Sequence, residues 1–185
     1  MTKFQLNTEQ SLLLIVDVQE RLLPAMQSQT ADVLVPNLSI LMQAAVLFNV
    51  PTLVTEQYPR GLGHTIEALE PWIDQQGCLE KTTFSCMQDP TIQGQIKEYR
   101  RTHIVLCGIE THVCVLQTAL DLLSDGYNVH VISDAVGSRT ESNRQTGLSI
   151  IREAGGIISS TETAVFQWAG HSKHEQFKAL SRLVR

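Results

Sequence analysis

Three side chains whose chemistries combine in acyl transfer, a carboxylate, an amine and a thiol, each stand just beyond a short apolar run. Asp17 follows Leu12-Leu-Leu-Ile-Val16, and Lys81 follows Gly77-Cys-Leu-Glu80. Cys114 closes Gly108-Ile-Glu-Thr-His-Val-Cys114, which itself follows His103-Ile-Val-Leu-Cys107. A thiol in the first turn of a helix opening after Thr111 would be stabilised as thiolate by the amides and dipole of that turn. A neighbouring lysine would lower its pKa further, so Cys114 is expected to be an activated nucleophile. A carboxylate leaving an apolar strand at its end could serve as general base. Taken singly, each residue has a plainer reading. Asp17 can cap a helix from Gln19 to Met26, Lys81 can pair with Glu80 at the surface, and Cys114 can be an ordinary buried cysteine. Cys107 reads as structural because it lies inside an apolar strand, and Cys78 and Cys86 carry no assignment.

Competing chemistries lack their residues. Gly61-Leu-Gly63-His64 resembles the start of a dinucleotide loop, but Ile66 stands where the third glycine belongs. There is no Gly-x-Ser-x-Gly elbow for a serine hydrolase. The four cysteines form no Cys-x-x-Cys pair and no zinc-type spacing with histidine, which predicts free thiols.

The elements that must position these residues are legible in the hydrophobic pattern. Short unalternating apolar runs at Leu12–Val16, Thr52–Thr55, His103–Cys107, Asn128–Ser133 and Gly156–Ser159 read as strands covered on both faces, with Gly77–Glu80 a further candidate. Between them lie helical patterns: Leu38 to Phe48, Gln88 to Arg101, Thr111 to Asp125 and Thr140 to Ala154. Such alternation predicts an α/β domain spanning residues 1–185, with a parallel sheet between helices. Ligands of these sheets sit outside the carboxyl ends of the strands, so Asp17, Lys81 and Cys114 are expected on one rim. Residues adjoining the rim segments, Leu22, Tyr58, Phe84 and His112, are candidate pocket walls. With 43% hydrophobic and 18% charged residues the chain is globular in composition. Its formal charge is −5 and it has no basic run, which argues against nucleic acid or a membrane surface as partner. No export signal is visible, so a cytoplasmic protein acting on a small molecule is expected.

In context, the three residues resemble the isochorismatase-like family of cysteine hydrolases, which includes the nicotinamidases. The matching pieces are Leu14-Ile-Val-Asp17-Val-Gln19, Lys81-Thr-Thr-Phe84 and Gly108-Ile-Glu-Thr-His-Val-Cys114-Val, followed by Asp134-Ala-Val-Gly-Ser-Arg139 and Ser160-Thr-Glu-Thr-Ala164. They run from about residue 11 to 166, in order. The resemblance implies a three-layer α/β/α fold with a six-stranded parallel sheet and an Asp17–Lys81–Cys114 triad. It also implies a cis peptide at Ile109–Glu110, an oxyanion hole from the backbone N–H groups of Glu110 and Cys114, and a homo-oligomer. Nicotinamidase-type relatives hold a metal with an Asp-x-His pair and a further His after the second strand. Here that stretch reads Thr55-Glu-Gln-Tyr-Pro59, and Glu56 with His64 falls short of the three protein ligands usual in a catalytic site. No metal or other cofactor is therefore expected. Retention of Cys114 points to an amide or ureide substrate hydrolysed through an acyl-enzyme. The alternatives are isochorismatase activity, with Asp17 protonating a vinyl ether, or a non-catalytic thiol redox sensor or oligomeric scaffold.

Overall fold

The computed structural model describes residues 3–73 and 77–185. Six parallel strands, β1 (Ser11–Val16), β2 (Thr52–Gln57), β3 (Cys78–Lys81), β4 (His103–Ile109), β5 (Asn128–Gly137) and β6 (Ile157–Ser159), form one sheet in the order β3-β2-β1-β4-β5-β6. The helices are α1 (Ser28–Leu47), a single turn α2 (Pro59–Leu62), α3 (Pro90–Glu98), α4 (Leu116–Ser124), α5 (Glu141–Glu153), α6 (Thr161–Ala169) and α7 (Phe177–Leu183). Strand alternation divides the core into two layers. Leu13, Ile15, Val105 and Cys107 pack with α1, α6 and α7, whereas Leu12, Leu14, Val16 and Leu106 pack with α3, α4 and α5. The three-layer α/β/α arrangement follows. β1 and β4 lie at the centre, paired from Ser11↔His103 to Val16↔Gly108, and every residue of both is buried. That double-sided burial is why their sequences read as continuous apolar runs.

Beyond α6 and α7, which lie where no helix is read in the sequence, three elements depart from the expected pattern. α1 begins ten residues before Leu38 and continues through Pro36. An interior proline costs ~3 kcal/mol, but the buried Leu34, Leu38, Leu41 and Met42 each contribute ~1.5–3 kcal/mol, so packing wins. By length and mean hydropathy Gln29–Leu47 is also the one stretch among the described residues that could cross a membrane; here its Leu34–Leu38–Leu41 stripe packs on the sheet. β5 does not stop at Ser133. It bulges, its register against β4 jumping between Leu106↔Val131 and Gly108↔Val136, and resumes to Gly137. Asp134, within the bulge, accepts hydrogen bonds from the Thr161 N–H and hydroxyl (both 2.9 Å), anchoring the start of α6. The third departure is the helix after β4, whose first turn, Thr111–Val115, is a wider π turn.

Candidate active site

The strand order reverses between β1 and β4, and doubly wound sheets open a crevice at the carboxyl ends of the strands at such a point. Asp17 leaves β1 there with φ 54°, a left-handed conformation that few residues other than glycine adopt. Its N–H donates to the Thr55 carbonyl (3.1 Å), and its carboxylate turns toward Thr55 and Lys81 at the ends of β2 and β3 rather than capping a helix. No helix runs from Gln19 to Met26; a 3-10 turn, Leu23–Ala25, is all that forms there. Gly108, opposite in β4, has φ 113°, and a Cβ on it would meet the Val16 carbonyl oxygen at 2.1 Å. Only glycine lets β4 lie this close to β1 where the two strands end.

Lys81 is equally far from the surface pairing with Glu80 that sequence alone allows. Alternation along β3 turns Glu80 outward and Lys81 inward, and the lysine side chain is fully buried. Its Nζ donates to Asp17 Oδ2 (2.6 Å), Gln57 Oε1 (2.7 Å), and the Thr83 and Phe84 carbonyls (3.2 and 3.3 Å). The Thr55 hydroxyl donates to the other carboxylate oxygen, Asp17 Oδ1 (2.7 Å). Burial works against the ammonium charge, but Asp17 and the nearby Cys86 and Cys114 sulfurs leave the Lys81 pKa above the ordinary lysine value. A buried ion pair tolerates its desolvation only when the remaining polar valences are satisfied, as they are here.

Cys114 lies beside this pair, its buried thiol under the electrostatic influence of both Asp17 and Lys81. The surroundings of the thiol act against the thiolate expected from the sequence. Burial, reinforced by the Asp17 carboxylate, pushes the thiol up to about 12, and the opposing pull of Lys81 does not compensate. Its helical surroundings differ too: the Glu110 carbonyl accepts from Val113 (3.1 Å) and Val115 (3.2 Å) but not from Cys114 between them.

The remaining candidates distribute around the rim. The Ile109–Glu110 peptide is cis. Glu110 Oε2 accepts from the Arg139 N–H (3.2 Å) and Nε (3.0 Å), and His112 Nδ1 lies 3.0 Å from Ser138 Oγ. Tyr58, itself at φ 38°, donates its N–H to the Lys81 carbonyl (2.9 Å), and Phe84 supplies a carbonyl to Lys81 Nζ. Both aromatic side chains are exposed beside the site, and Tyr58 lines a cleft with Arg60 and Thr82. Leu22 instead packs with the core on the opposite face of the sheet from Cys114. Glu56 and His64 do meet (3.1 Å), but Glu56 alternates away from its neighbours Thr55 and Gln57, which face the Asp17–Lys81 pair. Burial opposes the Glu56 charge, yet hydrogen bonds from Thr65 and the His64 contact hold its carboxyl below the usual range. Among the described residues no group of three or more His, Cys, Asp or Glu side chains is placed to hold a metal ion. Thr55, Gln57 and Gln19 were not singled out as site residues by sequence. Gln19 knits the rim by accepting from the Gln57 N–H (2.7 Å) and donating to the Gly63 carbonyl (2.6 Å). The period-2 spacing of Thr55 and Gln57 on a strand ending at the rim was the available signal.

The isochorismatase domain profile matches residues 11–163, most of the chain, and so spans all three residues of this buried cluster. The chain belongs to the isochorismatase family. A secreted isochorismatase effector, Isc1 of Phytophthora sojae, is 40% identical over 180 residues, covering 95% of this chain and 84% of its own length. A Caenorhabditis elegans structure described as MAR1 ribonuclease superposes with a TM-score of 0.90 at 36% identity, covering 97% of this chain and 92% of that one. The YcaC protein of Escherichia coli, described as an octameric hydrolase of unknown specificity, shares the fold (TM-score 0.90, 21% identity, 97% and 88% covered). Within the isochorismatase family, Asp17, Lys81 and Cys114 thus sit in one buried constellation that the fold assembles from three strand ends.

Proposed function

We propose that this isochorismatase-family chain is a metal-independent cysteine hydrolase that cleaves a C–N bond of a small amide or ureide. The observation that carries the reading is a buried Asp17–Lys81 pair (2.6 Å) at the strand ends with the buried Cys114 thiol beside it. Asp17 takes the proton as Cys114 Sγ bonds to the carbonyl carbon, and the carbonyl oxygen becomes an oxyanion held by the backbone N–H groups of Glu110 and Cys114. The C–N bond breaks as Asp17 passes that proton to the leaving nitrogen, giving a thioester. Water then attacks the thioester carbon, losing a proton to Asp17. The C–S bond breaks, and the proton returns to Cys114. The sum is amide plus water to acid plus amine. Lys81 holds the Asp17 charge and orientation throughout. Tyr58, Phe84 and His112 supply walls for the substrate, and a homo-oligomer of the kind described for YcaC is the proposed assembly.

The test is mass spectrometry of the protein after incubation with a mixed set of small amides and ureides. An acyl adduct mapped to Cys114, absent in Cys114→Ala, is the expected result. Isochorismate turnover surviving in Cys114→Ala would select vinyl ether chemistry instead. Cleavage of RNA by the purified chain would favour the activity named for the nematode relative, although a charge of −5 is a poor match to a polyanion. Reversible oxidation of the thiol with no hydrolysis would leave a redox sensor. Activity lost on chelation and restored by zinc would overturn metal independence.

A further inference from the structure

The loop between β4 and α4 carries both Cys114 and the backbone N–H groups assigned to the oxyanion, so what fixes this loop governs the reaction. Its own turn does not suffice. Thr111, placed where a capping side chain would help, has a buried hydroxyl with no hydrogen-bond partner, and the turn has no side-chain cap. Polar anchoring falls to the residues on either side of it. Glu110 and His112 reach two consecutive residues just past the end of β5: Arg139, which meets the Glu110 carboxylate with its N–H and Nε, and Ser138, whose buried hydroxyl meets His112. Nothing in the proposed chemistry uses Arg139, yet it is the cation paired with the Glu110 carboxylate. The backbone N–H of residue 139 would persist in any ordinary substitution. The side chain's contribution is therefore its charge and the second hydrogen bond.

We propose that Arg139 is a positioning residue of the acyl-transfer site, acting through Glu110. It orients the loop and neutralises a carboxylate that would otherwise stand unpaired beside a developing oxyanion. This rests on the function proposed above. An unpaired negative charge opposes oxyanion formation more than it opposes binding of a neutral substrate, so the effect belongs to the chemical step rather than to affinity.

The experiment uses the full chain and p-nitrophenyl acetate as an acyl probe, following nitrophenolate release and the mass of the acetylated protein. Wild type, Arg139→Gln, Glu110→Gln and the double variant are compared, with circular dichroism confirming that each is folded. Arg139→Gln should lower the limiting acetylation rate of Cys114 by ~10–100-fold, the range that misplacement of a reacting group produces, with little change in half-saturation. The double variant should recover toward Glu110→Gln, because the carboxylate that Arg139 neutralises is gone. Equal limiting rates in wild type and Arg139→Gln, or independent losses that multiply in the double variant, would overturn the assignment while leaving the Cys114 mechanism standing. A loss confined to half-saturation would overturn it as well, making Arg139 a binding residue. Wild-type protein that is never acetylated on Cys114 would remove the hydrolase reading and this inference together.

Discussion

At the scale of single residues, the balance of charge around Cys114 decides how the site can work. Helix dipole and lysine favour a thiolate, each by a modest amount, but burial and an adjacent carboxylate both oppose it and together prevail. Two consequences can be measured in one series. Iodoacetamide labelling of wild-type Cys114, mapped by peptide, should be slow near neutral pH and should rise toward the pKa of about 12. Asp17→Asn removes the neighbouring negative charge and leaves Lys81 unpaired. Both changes favour the thiolate, so the labelling profile should move to lower pH while hydrolysis is lost. An unmoved profile in Asp17→Asn would separate the two groups, and fast wild-type labelling centred near neutrality would restore the simple activated-thiolate picture.

At the scale of elements, close approach of backbones sets the site, and glycines mark where it happens. Gly147 in α5 faces the loop of Cys114: a Cβ there would meet the Thr111 carbonyl oxygen at 2.9 Å and His112 Cα at 3.1 Å. Alanine is the better helix former by ~1 kcal/mol, but overpacking against backbone costs ~1–3 kcal/mol, so the contact outweighs propensity. Gly147→Ala should therefore lower the melting temperature and slow acetylation of Cys114. Gly94, in α3, has open space at the same position, so Gly94→Ala should express the propensity gain alone. At ~2–4 °C per kcal/mol for a chain of this size, it should melt a few degrees higher with unchanged activity. Calorimetry of the two variants side by side checks the argument. Stabilisation by both would mean that α5 shifts without cost.

At the scale of the whole molecule, two buried histidines at the amino ends of the strands, opposite the site, predict a sensitivity to acid. His103 and His130, on adjacent central strands, are buried with ring centroids 5.8 Å apart. Burial is the main cause that lowers both, His130 to about 4 from 6.5, although His130 Nε2 keeps a contact with the Lys3 carbonyl (2.9 Å). Between these two pKa values the unfolded chain binds more protons than the folded one. The stabilisation is therefore complete above 6.5 and is lost as pH falls toward 4, by about 3 kcal/mol for His130. Urea unfolding at about pH 7.5 and about pH 4.5 should show that loss in wild type and a smaller one in His130→Gln; equal losses would assign acid sensitivity elsewhere. What the sequence by itself determined is local. Apolar runs of Leu, Ile and Val specify buried strands, helical spacing specifies the covering helices, and Asp17, Lys81 and Cys114 mark three strand ends, because burial on both faces dictates residue type one position at a time. Only the tertiary structure decided which strand ends meet. The order β3-β2-β1-β4-β5-β6 brings residues 17, 81 and 114 together, and no spacing along the chain encodes a reversal of strand order. It alone decided the protonation of Cys114, since desolvation and the Asp17 charge depend on what surrounds the sulfur in space. The tie from Glu110 to Arg139 is of the same kind: a contact across 29 residues, created when β5 resumes after its bulge and delivers residues 138 and 139 to the rim.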